Sequence, residues 1–232
     1  MRICYVGPAE RQPLLQAFVS DGVVIEARRP VGGPASIESM WEEYLHVPPL
    51  MELAVELEQE GFDTIVPGCF GDPGLDGVRE LVKIPVVGPG ATSMLVAANL
   101  GHRFGIVTVL ENVVRPLENL ALLTGVASKL ASVRQIGVPV LELNGDPDTT
   151  FRRLVEVSRC SIEEDRADIL VLGCGTLSFR AAELQEIVGV PVVNPLQVAL
   201  RTAEMLVACG LSHSKQSFPL PPKLSAQAIL SR

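Results

Sequence analysis

Short runs of apolar residues alternate with helical patterns along the chain. Residues 2–7, 23–27, 64–67, 105–110, 140–143, 168–172 and 192–193 read as strands, as do Val86 and Val87 with their flanks. Between them Leu50, Leu53, Ala54 and Leu57 recur at helical spacing, and so do Phe151, Leu154, Val155 and Ser158. Strands alternating with helices predict an α/β fold built on parallel sheets.

Two stretches of this pattern resemble each other. Phe62-Asp63-Thr64-Ile65-Val66-Pro67-Gly68-Cys69 and Ala167-Asp168-Ile169-Leu170-Val171-Leu172-Gly173-Cys174 both carry an apolar run into Gly-Cys. Each then passes through a loop and a helix to a second strand, Pro85-Val86-Val87 or Pro191-Val192-Val193. The cysteines are 105 residues apart in a chain of 232. Two similar half-length units predict two pseudo-symmetric lobes, each a parallel sheet flanked by helices, with a site in the cleft between them. Residues 1–93 and 197–232 are expected to form the first lobe, and residues 94–196 the second.

Composition narrows the class. Nineteen Lys and Arg face 27 Asp and Glu, a net charge of −8, and no basic stripe stands out. Nucleic acid is not an expected partner. No run of 18 apolar residues suggests a membrane span, and the first residues are too strand-like for a signal peptide. A soluble cytoplasmic protein with a small-molecule ligand, assembled as a homo-oligomer, is expected.

Five cysteines (Cys4, Cys69, Cys160, Cys174 and Cys209) have no CxxC spacing and read as free thiols. Cys4, Cys160 and Cys209 fit structural or surface roles. Cys69 and Cys174 differ, because both stand at the carboxyl end of a strand just before a helix. A helix start would favour the thiolate and hold an anion. Asp72, with Pro73 after it, reads as the N-cap of the first such helix, and Thr176 or Ser178 as the cap of the second. His46, His102 and His213 sit in no metal-ligand spacing and read as surface or loop residues. Gly173-Cys174-Gly175 lacks the third glycine and the acid of a dinucleotide fingerprint. Neither a metal nor a cofactor is expected. Gly32-Gly33-Pro34 reads as a turn that can also line a cleft. No Lys, Arg or His lies in residues 67–76 or 172–179, which disfavours a free dicarboxylate as ligand, and Glu10 would repel one if it faced the cleft.

Gly68-Cys69-Phe70-Gly71-Asp72-Pro73-Gly74-Leu75 resembles the first cysteine motif of hydantoin racemases, in the aspartate/glutamate racemase superfamily. Leu172-Gly173-Cys174-Gly175 resembles the second. Residues 33–38, Gly210-Leu211, Ser214-Lys215 and the Pro-rich tail are similar as well. The resemblance implies a two-lobed, cofactor-independent isomerase with one acid/base cysteine per lobe, Cys69 and Cys174. It implies that Phe70, Gly71, Gly175 and Thr176 supply backbone donors, and that Gly7, Pro8 and Thr108 help bind substrate. Many relatives carry an Asn-Pro-Asn loop after the first strand, where this chain has Gly7-Pro8-Ala9-Glu10.

The expected reaction is proton removal and return at the stereocentre of a 5-substituted hydantoin or allantoin-like ring. It needs a base on one face and an acid on the other, which a thiolate and a thiol provide. Three alternatives stand beside it: a maleate isomerase-like enzyme, an aspartate/glutamate racemase-like enzyme, and a noncatalytic two-lobed ligand-binding protein.

Overall fold

A computed structural model describes residues 1–222, so residues 223–232 of the expected first lobe lie outside the described residues. Among the described residues seven strands form two wholly parallel sheets. The first sheet contains β1 (Arg2–Val6), β2 (Val24–Arg28) and β3 (Thr64–Pro67) in the order β2-β1-β3, and Val86 adds a bridge to Ile65 at the β3 edge. The second contains β4 (Phe104–Thr108), β5 (Leu130–Gln135), β6 (Ile169–Leu172) and β7 (Val192–Val193) in the order β5-β4-β6-β7. With the Val86 bridge counted, the two sheets share one topology. The two-lobed α/β reading therefore holds.

One expected strand is absent and one observed strand was not expected. Residues 140–143 do not form a strand: after Pro139 the chain makes a short 3-10 turn, Val140–Glu142, and buries Leu143. The missing strand is β5, whose six residues are all half-buried at a sheet edge and so lack a clean alternation.

The helices are α1 (Gln12–Gln16), α2 (Met40–Gln59), α3 (Leu75–Leu81), α4 (Pro89–Leu100), α5 (Val114–Leu123), α6 (Pro147–Glu163), α7 (Ala181–Val188) and α8 (Pro195–Ala208). Successive strand residues face opposite layers. Cys4 and Val6 of β1 pack with Leu50, Leu57, Leu75 and Val78 of α2 and α3, while Ile3 and Tyr5 face the other way. In β6, Leu170 and Leu172 pack against α6 and α7, while Ile169 and Val171 face α4.

The last helix of each repeat crosses to the other sheet. α4 follows Val87 of the first sheet, yet its Met94 and Ala97 pack on Phe104, Ile106 and Val171 of the second. α8 follows β7 of the second sheet, yet Leu196, Ala199, Leu200 and Ala203 pack on Ile3, Tyr5, Ile25 and Val66 of the first. The two exchanged helices also pack against each other. Proline at the start of each supplies a preset φ where the missing N–H costs nothing.

Candidate active site

Each Gly-Cys extends its sheet by one ladder bond. Gly68 donates to the Val6 carbonyl at 2.9 Å, and Gly173 donates to the Val107 carbonyl at 2.7 Å. The cysteine after each glycine is thereby fixed at the carboxyl end of a central strand. The two ends meet: a Cβ on Gly175 would stand 2.9 Å from the Gly68 carbonyl oxygen. A cavity of about 360 Å³ opens there, lined by both cysteines and by Gly7, Pro8, Phe70, Gly71, Thr108, Gly175 and Thr176. The nine residues expected to act in catalysis or substrate binding thus border one cleft.

Their roles differ from one another. Thr108 is buried and donates through Oγ1 to the Gly173 carbonyl at 3.1 Å, which holds the second Gly-Cys from below. Phe70 is buried among Met94, Ala97 and Leu117, so it joins the first cysteine loop to the second lobe's core. Gly7 and Gly68 make room for one side chain: a Cβ on either would lie within 2.8 Å of the Tyr5 hydroxyl. The backbone N–H of Gly71 stands near the Cys69 sulfur and favours its thiolate.

The thiolate expectation fails at Cys69. Burial pushes its thiol up to about 12, and the Gly71 N–H offsets only part of this, while Glu43, Asp72 and Cys174 push it further up. The helix start that was expected to offset burial is also missing, because no helix begins directly after Cys69. Asp72 takes φ of +53°, Gly74 takes +68°, and α3 starts only at Leu75. The Asp72 carboxylate does not cap α3 either. It reaches the start of α4, accepting from Gly90 N at 3.0 Å and Ala91 N at 2.7 Å. Burial pushes Asp72 up to about 7 against those two bonds. On the second loop neither Thr176 nor Ser178 caps the short 3-10 helix Leu177–Arg180 through its side chain. Ser178 instead offers its carbonyl to Asn194 Nδ2 at 2.9 Å.

Four cleft residues were not singled out, or were placed elsewhere, by sequence reasoning. Arg11 lies in the turn before α1 and donates to Tyr5 Oη at 2.9 Å and to Thr176 Oγ1. Tyr5 is fully buried in β1, with its hydroxyl at the cleft floor. Glu43 and His46, one turn apart on α2, also line the cleft, so His46 is no surface residue. Ser39 fixes that end of α2: its Oγ accepts from Glu42 N, and Glu42 answers to Ser39 Oγ and the Glu38 N–H. Burial raises the Glu43 carboxyl and lowers the His46 imidazole, favouring the neutral form of each. The Gly32-Gly33-Pro34 turn does line the cleft, and Arg29 stands beside it. Glu10 is exposed and borders an adjoining cavity instead. The cysteine loops themselves carry no cation, but Arg11 and Arg29 bring two from elsewhere. Arg11 had one signal in the sequence: it follows Gly7-Pro8 closely, in the loop expected to face the cleft.

The model of the Asp/Glu/Hydantoin racemase family matches residues 12–203. The chain is 36% identical over 200 residues to a hydantoin racemase of Pseudomonas sp. (strain NS671), covering 86% of this chain and 80% of that protein. It is 34% identical over 223 residues to the hydantoin racemase of Paenarthrobacter aurescens, covering 93% and 94%. The solved structure of allantoin racemase from Klebsiella pneumoniae superposes with a TM-score of 0.92 at 31% identity, covering 97% of this chain and 96% of that one.

Proposed function

The chain belongs to the Asp/Glu/Hydantoin racemase family, and from that premise we propose that it racemises 5-substituted hydantoins or an allantoin-like ring with Cys69 and Cys174 as its two proton-transfer groups. One observation carries the reading. The repeated Gly-Cys strand ends, distant in sequence, border a single cleft between the lobes.

Burial pushes the Cys69 thiol up to about 12 and so favours its protonated form, which suits it to donate the proton in one direction. Cys174 takes the proton from the opposite face of the ring carbon, and the roles reverse in the other direction. The carbanion is delocalised onto the adjacent ring carbonyl. Backbone N–H groups of the two cysteine loops face that oxygen, and preorganised donors of this kind contribute about 3–4 kcal/mol each to transition-state stability. Proton transfer between two thiols and the ring carbon calls for no metal or organic cofactor.

A neutral ring suits the cleft better than a free dicarboxylate. Glu43 stands beside the Cys69 loop with its carboxyl oxygen 2.9 Å from where a Gly71 Cβ would lie, and it brings no positive charge to a carboxylate placed there. Arg11 already spends donors on Tyr5 and Thr176.

The test is proton NMR in deuterated water on single enantiomers of 5-substituted hydantoins, allantoin, aspartate and glutamate, with optical rotation followed in parallel. Loss of the C5 proton together with loss of rotation for a hydantoin is the expected result. Racemisation of glutamate or aspartate at least as efficiently as of every hydantoin tried would move the substrate to the amino acids. A covalent cysteine adduct with a small dicarboxylate would favour the isomerase reading, and binding without exchange a noncatalytic role.

A further inference from the structure

The cysteine loops are held by different means, and the second depends on a residue from the other lobe. Arg11 projects from the first lobe, between β1 and α1, and bonds Thr176 two residues beyond Cys174. Its other end nitrogen bonds the hydroxyl of Tyr5, a fully buried ring anchored in the first lobe's core. A Cβ on Gly175 would lie 3.3 Å from that guanidinium, so Arg11 lies close against the loop. Among the described residues Arg11 has no carboxylate partner, which leaves the Tyr5 and Thr176 bonds to fix its position. Among the described residues no comparable strut reaches the Cys69 loop, where Asp72 binds backbone N–H groups of α4.

We propose that Arg11 is a positioning residue that fixes the Cys174 loop against the first lobe, so that proton transfer on the Cys174 face of the substrate depends on it and transfer on the Cys69 face does not. This rests on the two-thiol reading above. A planar fork pinned at both ends suits the task, because small displacements of a proton-transfer group cost large factors in rate.

The experiment uses deuterium exchange at C5 of single enantiomers of 5-methylhydantoin. In Cys69→Ser only Cys174 can remove the proton, and in Cys174→Ser only Cys69 can. Adding Arg11→Met should slow exchange at least about tenfold in the Cys69→Ser protein and less than about threefold in the Cys174→Ser protein. Thr176→Val, which removes the acceptor and keeps the arginine, should reproduce the bias, and Arg11→Lys should soften it. These two variants also cover the case in which Arg11→Met does not fold. Equal slowing in both backgrounds, or none in either, overturns the assignment while the two-thiol mechanism stands. Exchange in neither single-cysteine protein overturns both.

Discussion

The two halves of the molecule solve one problem in opposite ways. In each, a loop after the Gly-Cys must be tied to the helix that crosses to the other sheet. In the first half the tie comes from the loop: Asp72 reaches the N-terminus of α4 and accepts from Gly90 and Ala91. The helix side is correspondingly bare, since Gly88 stands where a Cβ would lie 2.5 Å from the Asp72 carboxyl. In the second half the tie comes from the helix. Asn194, at the position matching Gly88, caps α8 through Gln197 N at 3.1 Å and reaches back to the Ser178 carbonyl. The fold therefore repeats a connection rather than a residue, and a carboxylate in one half does the work of an amide in the other.

The comparison is tested hardest at the thiols. Cys69→Ser and Cys174→Ser should each lower racemisation by about 100-fold or more. Each should keep deuterium exchange for one enantiomer, with opposite preferences. The same preference in both variants would mean that the loops do not serve opposite faces.

Next come the ties. Asp72→Ala leaves two N–H groups at the start of α4 without a partner and should cost about 2–4 kcal/mol in denaturant melts. Asn194→Ala removes one cap and one loop bond and should cost about 1–2 kcal/mol. A larger loss at Asn194 than at Asp72 would reverse the ranking of the ties.

The ties also differ in their response to pH. With its pKa raised from 3.8 to about 7, Asp72 binds its proton more tightly in the folded protein than in the unfolded chain. Its contribution to stability is full below about pH 4 and lost as the pH rises through 7. Melts from pH 4 to 8 should show this slope, and Asp72→Asn should flatten it, whereas the Asn194 tie does not titrate. The mildest effect concerns labelling. At neutral pH iodoacetamide should modify exposed Cys209 before Cys69, with Cys69 labelling rising as the pH is raised, as read by mass spectrometry.

What the sequence disclosed follows from how far each signal reaches along the chain. β3 and β6 were legible because strands buried on both faces leave unbroken apolar runs, and all four residues of each are buried. The cleft was legible because the same run enters Gly-Cys twice. β5 was not, since an edge strand with six half-buried residues carries little alternation. Asp72 was misread because Pro73 beside it is a local helix-start cue, while its partners lie 18 and 19 residues on. Arg11 meets Thr176 across 165 residues, and nothing near either announces the pairing.

The crossing of α4 and α8 also bears on how such a chain can fold and how it can have arisen. Cut at its midpoint, the first half would carry a helix with no sheet of its own to cover, and its sheet would expose Ile3, Tyr5, Ile25 and Val66. Bare apolar faces of that kind do not stay monomeric in water. A half-length chain of this design would close its core only by trading terminal helices with a second copy. Joined end to end, two such copies make the present molecule, with the exchange now internal. Neither half can then finish folding before the other supplies its helix, so the two sheets should melt in one transition rather than two.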